Sequence, residues 1–201
     1  SVQYPIVEAM TSILFAAIGA SMIALEPITA LIALFITSVL IAIAVYDIRH
    51  TIIPDAWAYA FAGAALVFTF VSGVPQDASI IVYLLAGPLA ALPIATLWFV
   101  SQGRWIGLGD AKLSLGMGWL LGPVYGIMGV FFAFVIGAVI SVFILMPLPA
   151  LFRVLHRTGI ARFRSMGAQL TMKSEVPFGP FLIASCFIVW FSLLFNIPLP
   201  L

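Results

Sequence analysis

Charge is scarce in this sequence: of its 201 residues only 7% are Asp, Glu, Lys or Arg, whereas 64% are hydrophobic. Soluble globular domains carry about 25% charged residues, so that class is excluded and a membrane protein is indicated. An excess of either sign is missing as well. Eight Lys and Arg stand against seven Asp and Glu, for a formal charge of +1, which offers no general basic surface for nucleic acid and no acidic tail. Cysteine is nearly absent. The single Cys186 excludes intramolecular disulfides and multi-cysteine zinc or iron–sulfur sites, and neither a metal nor a cofactor is expected. No signal peptide, convincing internal repeat or low-complexity tract is visible, and the chain opens on Ser1 rather than Met.

What the sequence has instead is long apolar runs. The charges divide it into uncharged stretches at 9–25, 27–46, 56–76, 78–103, 113–152 and 176–201. Roughly 20 apolar residues cross a hydrocarbon core of about 30 Å, so most of these stretches hold one helix each. The stretch 113–152 is too long for one. Gly122-Pro123 breaks it, and two helices are read there, about 111–121 and 124–146. The expectation is an all-α, polytopic integral membrane protein of about seven transmembrane helices, a single transmembrane domain over 1–201.

Seven alternating spans put the loops 48–55, 102–112 and 148–175 on the side of the N-terminus. All eight basic residues fall in them: Arg49; Arg104 and Lys112; Arg153, Arg157, Arg162, Arg164 and Lys173. The loops around Glu26, Asp77 and Gly122 contain none. Because basic loops stay in the cytosol, the basic side is read as cytosolic. The loop 148–175 also interleaves Phe152, Val154, Leu155, Ile160, Phe163 and Met166 with its basic residues. It is read either as an amphipathic segment lying on the anionic leaflet or as a solvated connector.

Two acidic residues sit where acidity is expensive. Asp47 closes the second helix after 20 uncharged residues, and Asp110 ends Gly107-Leu108-Gly109-Asp110 and starts the fifth helix. An intramembrane carboxylate is a functional candidate by default. A helix from Asp110 to Leu121 is only about 18 Å long at roughly 1.5 Å per residue, which would sink Asp110 into a recess below the cytosolic surface. By the topology both carboxylates lie at the same level, although 63 positions separate them. Two carboxylates sharing one site hold a proton between them, the arrangement of an aspartic protease: the ionised member takes a proton from water and the protonated member polarises the scissile carbonyl. Gly107 and Gly109 would let backbone approach a peptide substrate. The plainer alternative for Asp110 is a helix N-cap.

Four segments together resemble one family. They are Tyr4-Pro5-Ile6-Val7-Glu8; Asp47 followed by Ile53-Pro54-Asp55; Gly107-Leu108-Gly109-Asp110-Ala111-Lys112-Leu113; and Pro177-Phe178-Gly179-Pro180-Phe181. In this order and spacing the chain resembles the type IV prepilin peptidases, membrane aspartyl proteases of the GxGD kind. The resemblance implies the GxGD protease fold, with Asp47 and Asp110 as catalytic aspartates. It implies type IV prepilins, or pseudopilins of type II secretion, as substrates in a bacterial inner (cytoplasmic) membrane. The leader would be cut on the cytosolic face, after a glycine and before a hydrophobic residue. Many members carry a further N-terminal helix, a loop with two CxxC pairs and an N-methyltransferase activity. This sequence has no CxxC, so the resemblance does not carry methylation over, and the chain reads as shortened at its N-terminus.

The remaining polar residues receive duller readings beside the functional one. Glu8 suits a helix N-terminus. Asp55, after Pro54, is read as a capping residue and as the control for Asp47, its Asn variant keeping activity. His50 is read as tuning Asp47 or as a solvated loop histidine. Lys112 is read as supporting Asp110 or as a headgroup anchor, with anchoring favoured. Pro177 and Gly179 would form a stiff turn lining the substrate groove or simply start the last helix. Small residues such as Ala62, Gly63 and Ala64, or Gly129 with Gly137, suit close helix packing. Two other functions compete. A signal-peptide-peptidase or presenilin-like protease is echoed by Tyr46-Asp47, Gly107-Leu108-Gly109-Asp110 and Pro149-Ala150-Leu151, but the last stands at a loop edge. A proton-coupled transporter would need acids at mid-span, where none of the seven falls.

Overall fold

The computed structural model of the chain describes residues 3–22, 26–74, 79–145 and 177–198. Among them every regular element is helical: α1 (Gln3–Met22), α2 (Pro27–His50), α3 (Asp55–Ser72), α4 (Ile80–Ser101), α5 (Leu108–Ile140), which continues through one π-helical turn (Ser141–Leu145), and α6 (Gly179–Leu194). The segment 148–175 and its Pro149-Ala150-Leu151 lie outside the described residues. Four stretches are long and apolar enough to cross a membrane: α2, α3, α4 and the stretch Leu108–Phe143; the apolar helices Val7–Met22 and α6 are shorter. Large apolar side chains such as Leu31, Phe35, Phe99 and Phe131 are exposed, as a surface facing lipid requires.

The ends of the helices follow from local chemistry. Pro27 opens α2, where its missing N–H and fixed φ do no harm. The helix closes at Thr51, which adopts the left-handed conformation (φ 53°) and donates its N–H to Asp47 O at 2.7 Å. Three residues later the extended Pro54 starts α3. This connection is therefore short and stiff.

Gly122 does what the sequence expects of it. With φ 81° and ψ 178° it interrupts α5 immediately before Pro123, in a region open essentially to glycine alone. The chain doubles back there: a Cβ placed on Gly126 would lie 2.7 Å from Cα of Gly118, and one on Gly129 would lie 3.2 Å from the Met117 methyl. In an unbroken helix residues eight apart are about 12 Å apart along the axis. The first arm, 108–121, starts two to three residues earlier than the sequence suggests.

Small residues permit the close packing of these helices, as in membrane bundles generally. A Cβ on Gly118 would run into the Ala86 carbonyl of α4, and one on Gly87 would lie 2.6 Å from the Trp119 ring, whose Nε1 donates to Leu84 O at 2.9 Å. Gly116 faces Phe61 and Ala62 of α3, and the buried Thr69 hydroxyl donates to the Trp119 carbonyl. Ser185 of α6 donates to Gly129 O at 2.7 Å. Ala62, Gly129 and Gly137 are thus packing residues, whereas Gly63 has nothing near it. The core runs along the bundle through Ile36, Leu40, Ile43, Phe61, Leu113, Met117 and Leu182.

Candidate active site

The end of α2, the starts of α3, α5 and α6, and the chain following α4 gather at one end of the bundle around a cavity of about 320 Å³. Asp47 and Asp110 both line it. Both residues are almost wholly removed from the surface, at 4% and 7% exposure. The helix ends, and not any sequence proximity, bring them together.

Asp47 occupies the last turn of α2. Its Oδ2 is buried with no hydrogen-bond partner among the described residues, and the backbone of Gly179 lies beside the carboxylate. A buried carboxylate oxygen without a partner is rare and costly, about 1–3 kcal/mol or more, which marks a position held for something other than stability. Gly179 is the first residue of α6. Any side chain there would run into Asp47 Oδ2 and would come within 3.2 Å of Ile53 Cδ1.

Asp110 is not the N-cap of α5. That place belongs to Gly107 (φ −76°, ψ 149°), and Asp110 stands three residues in. Its Oδ2 accepts the Gly107 N–H at 3.2 Å, half of a capping box, while the Ser114 hydroxyl donates to its backbone carbonyl at 2.8 Å. The structural and functional readings of this residue are therefore compatible: one oxygen helps to start the helix while the carboxyl lines the cavity. Gly109 packs where no side chain fits, since a Cβ would stand 2.9 Å from Ile53 Cβ.

The other expected residues divide. Gly107, Gly109 and Pro177 line the same cavity. Gly179 borders it through Asp47. His50 does not line it. Its ring is stacked on Tyr46 with centroids 4.2 Å apart, Nδ1 lies 3.1 Å from the Tyr46 carbonyl oxygen, and it borders a separate cavity of about 460 Å³ with Val7, Thr11 and Trp57. Lys112 is also outside the carboxylate cavity. Rather than standing alone as an anchor, its Nζ pairs with Asp55 Oδ1 at 2.6 Å and lies 5.3 Å from the centre of the Tyr59 ring. Asp55 in turn is the first residue of α3, after the N-cap Pro54. Reasoning from sequence missed Thr51, Arg104, Trp105 and Phe178, which line the cavity. Arg104 and Trp105, six and five residues ahead of Asp110 and polar or amphipathic at a span's end, carried a usable signal, as did Phe178 by its place in the Pro-Phe-Gly-Pro segment; Thr51 carried none.

The arrangement is a helical membrane bundle with two buried carboxyl groups facing one cavity at its end, suited to passing protons to and from a water molecule. Residues 34–142 match the model of the type IV leader peptidase family, a stretch of 109 residues (142 − 34 + 1) out of 201 that contains both aspartates. The chain belongs to the type IV leader peptidase family and is a peptidase of the membrane. Comparison with curated proteins and with solved structures gives no match.

Proposed function

We propose that this protein is an aspartyl endopeptidase that removes the leader of type IV prepilins or pseudopilins, with Asp47 and Asp110 as its catalytic pair. The observation that carries this reading is the shared cavity: two buried carboxyls border it, and one oxygen, Asp47 Oδ2, has no partner among the described residues. A water molecule there would give up a proton to the ionised carboxyl as its oxygen bonds to the scissile carbonyl carbon. The protonated carboxyl donates to the carbonyl oxygen. Collapse of the tetrahedral diol breaks the C–N bond: the proton taken from water passes from the first carboxyl to the leaving amine, while one diol hydroxyl returns its proton to the second carboxylate, leaving a carboxylic acid and the pair as it began. No other group is needed for the balance.

The chain would form one transmembrane unit of the GxGD kind with seven spans, the break at Gly122 supplying two of them. Arg49, Arg104 and Lys112 lie at the carboxylate end of the bundle, which supports a cytosolic site in a bacterial inner membrane. A cut there, after a glycine at the membrane face, separates this reading from an intramembrane protease of the presenilin kind, whose cut would fall at mid-membrane.

The test is cleavage of a purified prepilin by the protein in liposomes. Asp47→Asn and Asp110→Asn are each expected to lower the rate by at least about 10³-fold with normal membrane insertion, while Glu26→Gln at the other end of α2 leaves it unchanged. Full processing by either Asn variant would end the assignment.

A further inference from the structure

Asp55 and Lys112 lie 57 positions apart, yet Nζ and Oδ1 meet at 2.6 Å. The pair joins the first residue of α3 to the first turns of α5. Lys112 is mostly covered, its side chain 18% exposed, and its ammonium also lies over Tyr59, one turn beyond Asp55 on the same helix. Immediately before Asp110, Gly109 is seated against Ile53 with no room for a side chain. The strip 53–59 therefore grips the turn 109–112 at two points, and Asp110 sits between them. The same strip follows Asp47 through a connection closed by the Thr51 N–H bond to Asp47 O.

We propose that Asp55 and Lys112 are positioning residues: their ion pair fixes the distance between the Asp47 and Asp110 carboxyls, without either side chain touching substrate. This rests on the reading of those aspartates as the catalytic pair. An ion pair whose carboxylate is exposed, as Asp55 is at 66%, contributes little to stability, and a shift of about 1 Å at a reacting group can cost roughly 10²-fold in rate, so catalysis should register the loss more than folding does.

Prepilin cleavage by the full chain in liposomes tests it. Because Asp55 is paired, the retained activity expected from sequence for Asp55→Asn gives way to a loss: Asp55→Asn and Lys112→Gln are each expected to lower kcat about tenfold with KM little changed, Asp55→Glu and Lys112→Arg to retain most of it, and the double variant to be no worse than either single one, since residues acting as one unit are not additive. A second reading is independent of activity. Spin labels on Thr51→Cys and Ile106→Cys, across the cavity, should give a distance distribution that broadens in Asp55→Asn and Lys112→Gln and narrows again in Asp55→Glu. An unchanged distribution, an unchanged kcat, or additive losses in the double variant would each overturn the pair's role. Loss of the catalytic reading itself would appear differently, as full activity in Asp110→Asn with the label distances still responding.

Discussion

The first residue of α6, Gly179, is packed so tightly on Asp47 that a methyl group there would overlap Oδ2. Residues 132 positions apart (179 − 47) are in contact because two helix ends meet. Gly179→Ala is therefore expected to displace the carboxyl and lower prepilin cleavage by about 10²-fold, with thermal unfolding in detergent little changed. Wild-type cleavage by this variant would show that Asp47 tolerates movement and is not held for catalysis.

Gly109 and Gly63 make a matched comparison. A Cβ on Gly109 meets Ile53 at 2.9 Å, whereas one on Gly63 meets nothing within 4 Å. Gly109→Ala should push the Asp110 turn off the α2–α3 connection and cut activity about tenfold or more. Gly63→Ala, in the interior of α3, should keep activity and gain roughly 0.5–1 kcal/mol of stability through the helix preference of Ala. Equal behaviour of the two variants in cleavage and unfolding assays would contradict the packing described.

Within the bundle the expected losses are of stability. Gly118→Ala drives a methyl group into the backbone of Ala86, so α4 and α5 must part, at about 1–3 kcal/mol. Gly122→Ala forces a side chain onto φ 81°, again about 1–3 kcal/mol. Chemical denaturation in mixed micelles measures both; stability equal to or above that of the unsubstituted protein for either variant is the contrary outcome.

Orientation can be read by labelling single cysteines with an impermeant maleimide, because Cys186 is fully buried. In right-side-out vesicles Ser79→Cys is expected to react and Gln102→Cys to stay silent until the membrane is opened. Reaction of both from outside would remove the cytosolic placement of the site.

Much of the fold was legible because it depends on local chemistry. Long uncharged runs require helices that satisfy their own backbone, Gly122-Pro123 can only break one, and the placement of basic residues is a one-dimensional signal. The GxGD and Pro-Phe-Gly-Pro segments likewise marked Asp110 and Gly179. Illegible were the partners of exposed charges and rings. Nothing in the spacing says that Lys112 turns to Asp55, or that His50 stacks on Tyr46 away from Asp47, because such contacts are set by how the helices rotate about their axes.

The sequence by itself determined a membrane-embedded helical chain with two acids at matching depth, since burial of apolar length and exclusion of charge act on each segment separately. Only the tertiary structure decided that the two acids face one cavity, that Gly179 leaves space for one and Ile53 seats the other, and that an ion pair ties α3 to the helix of Asp110. Those outcomes depend on side chains from four helix ends competing for the same few ångströms, which no single segment encodes.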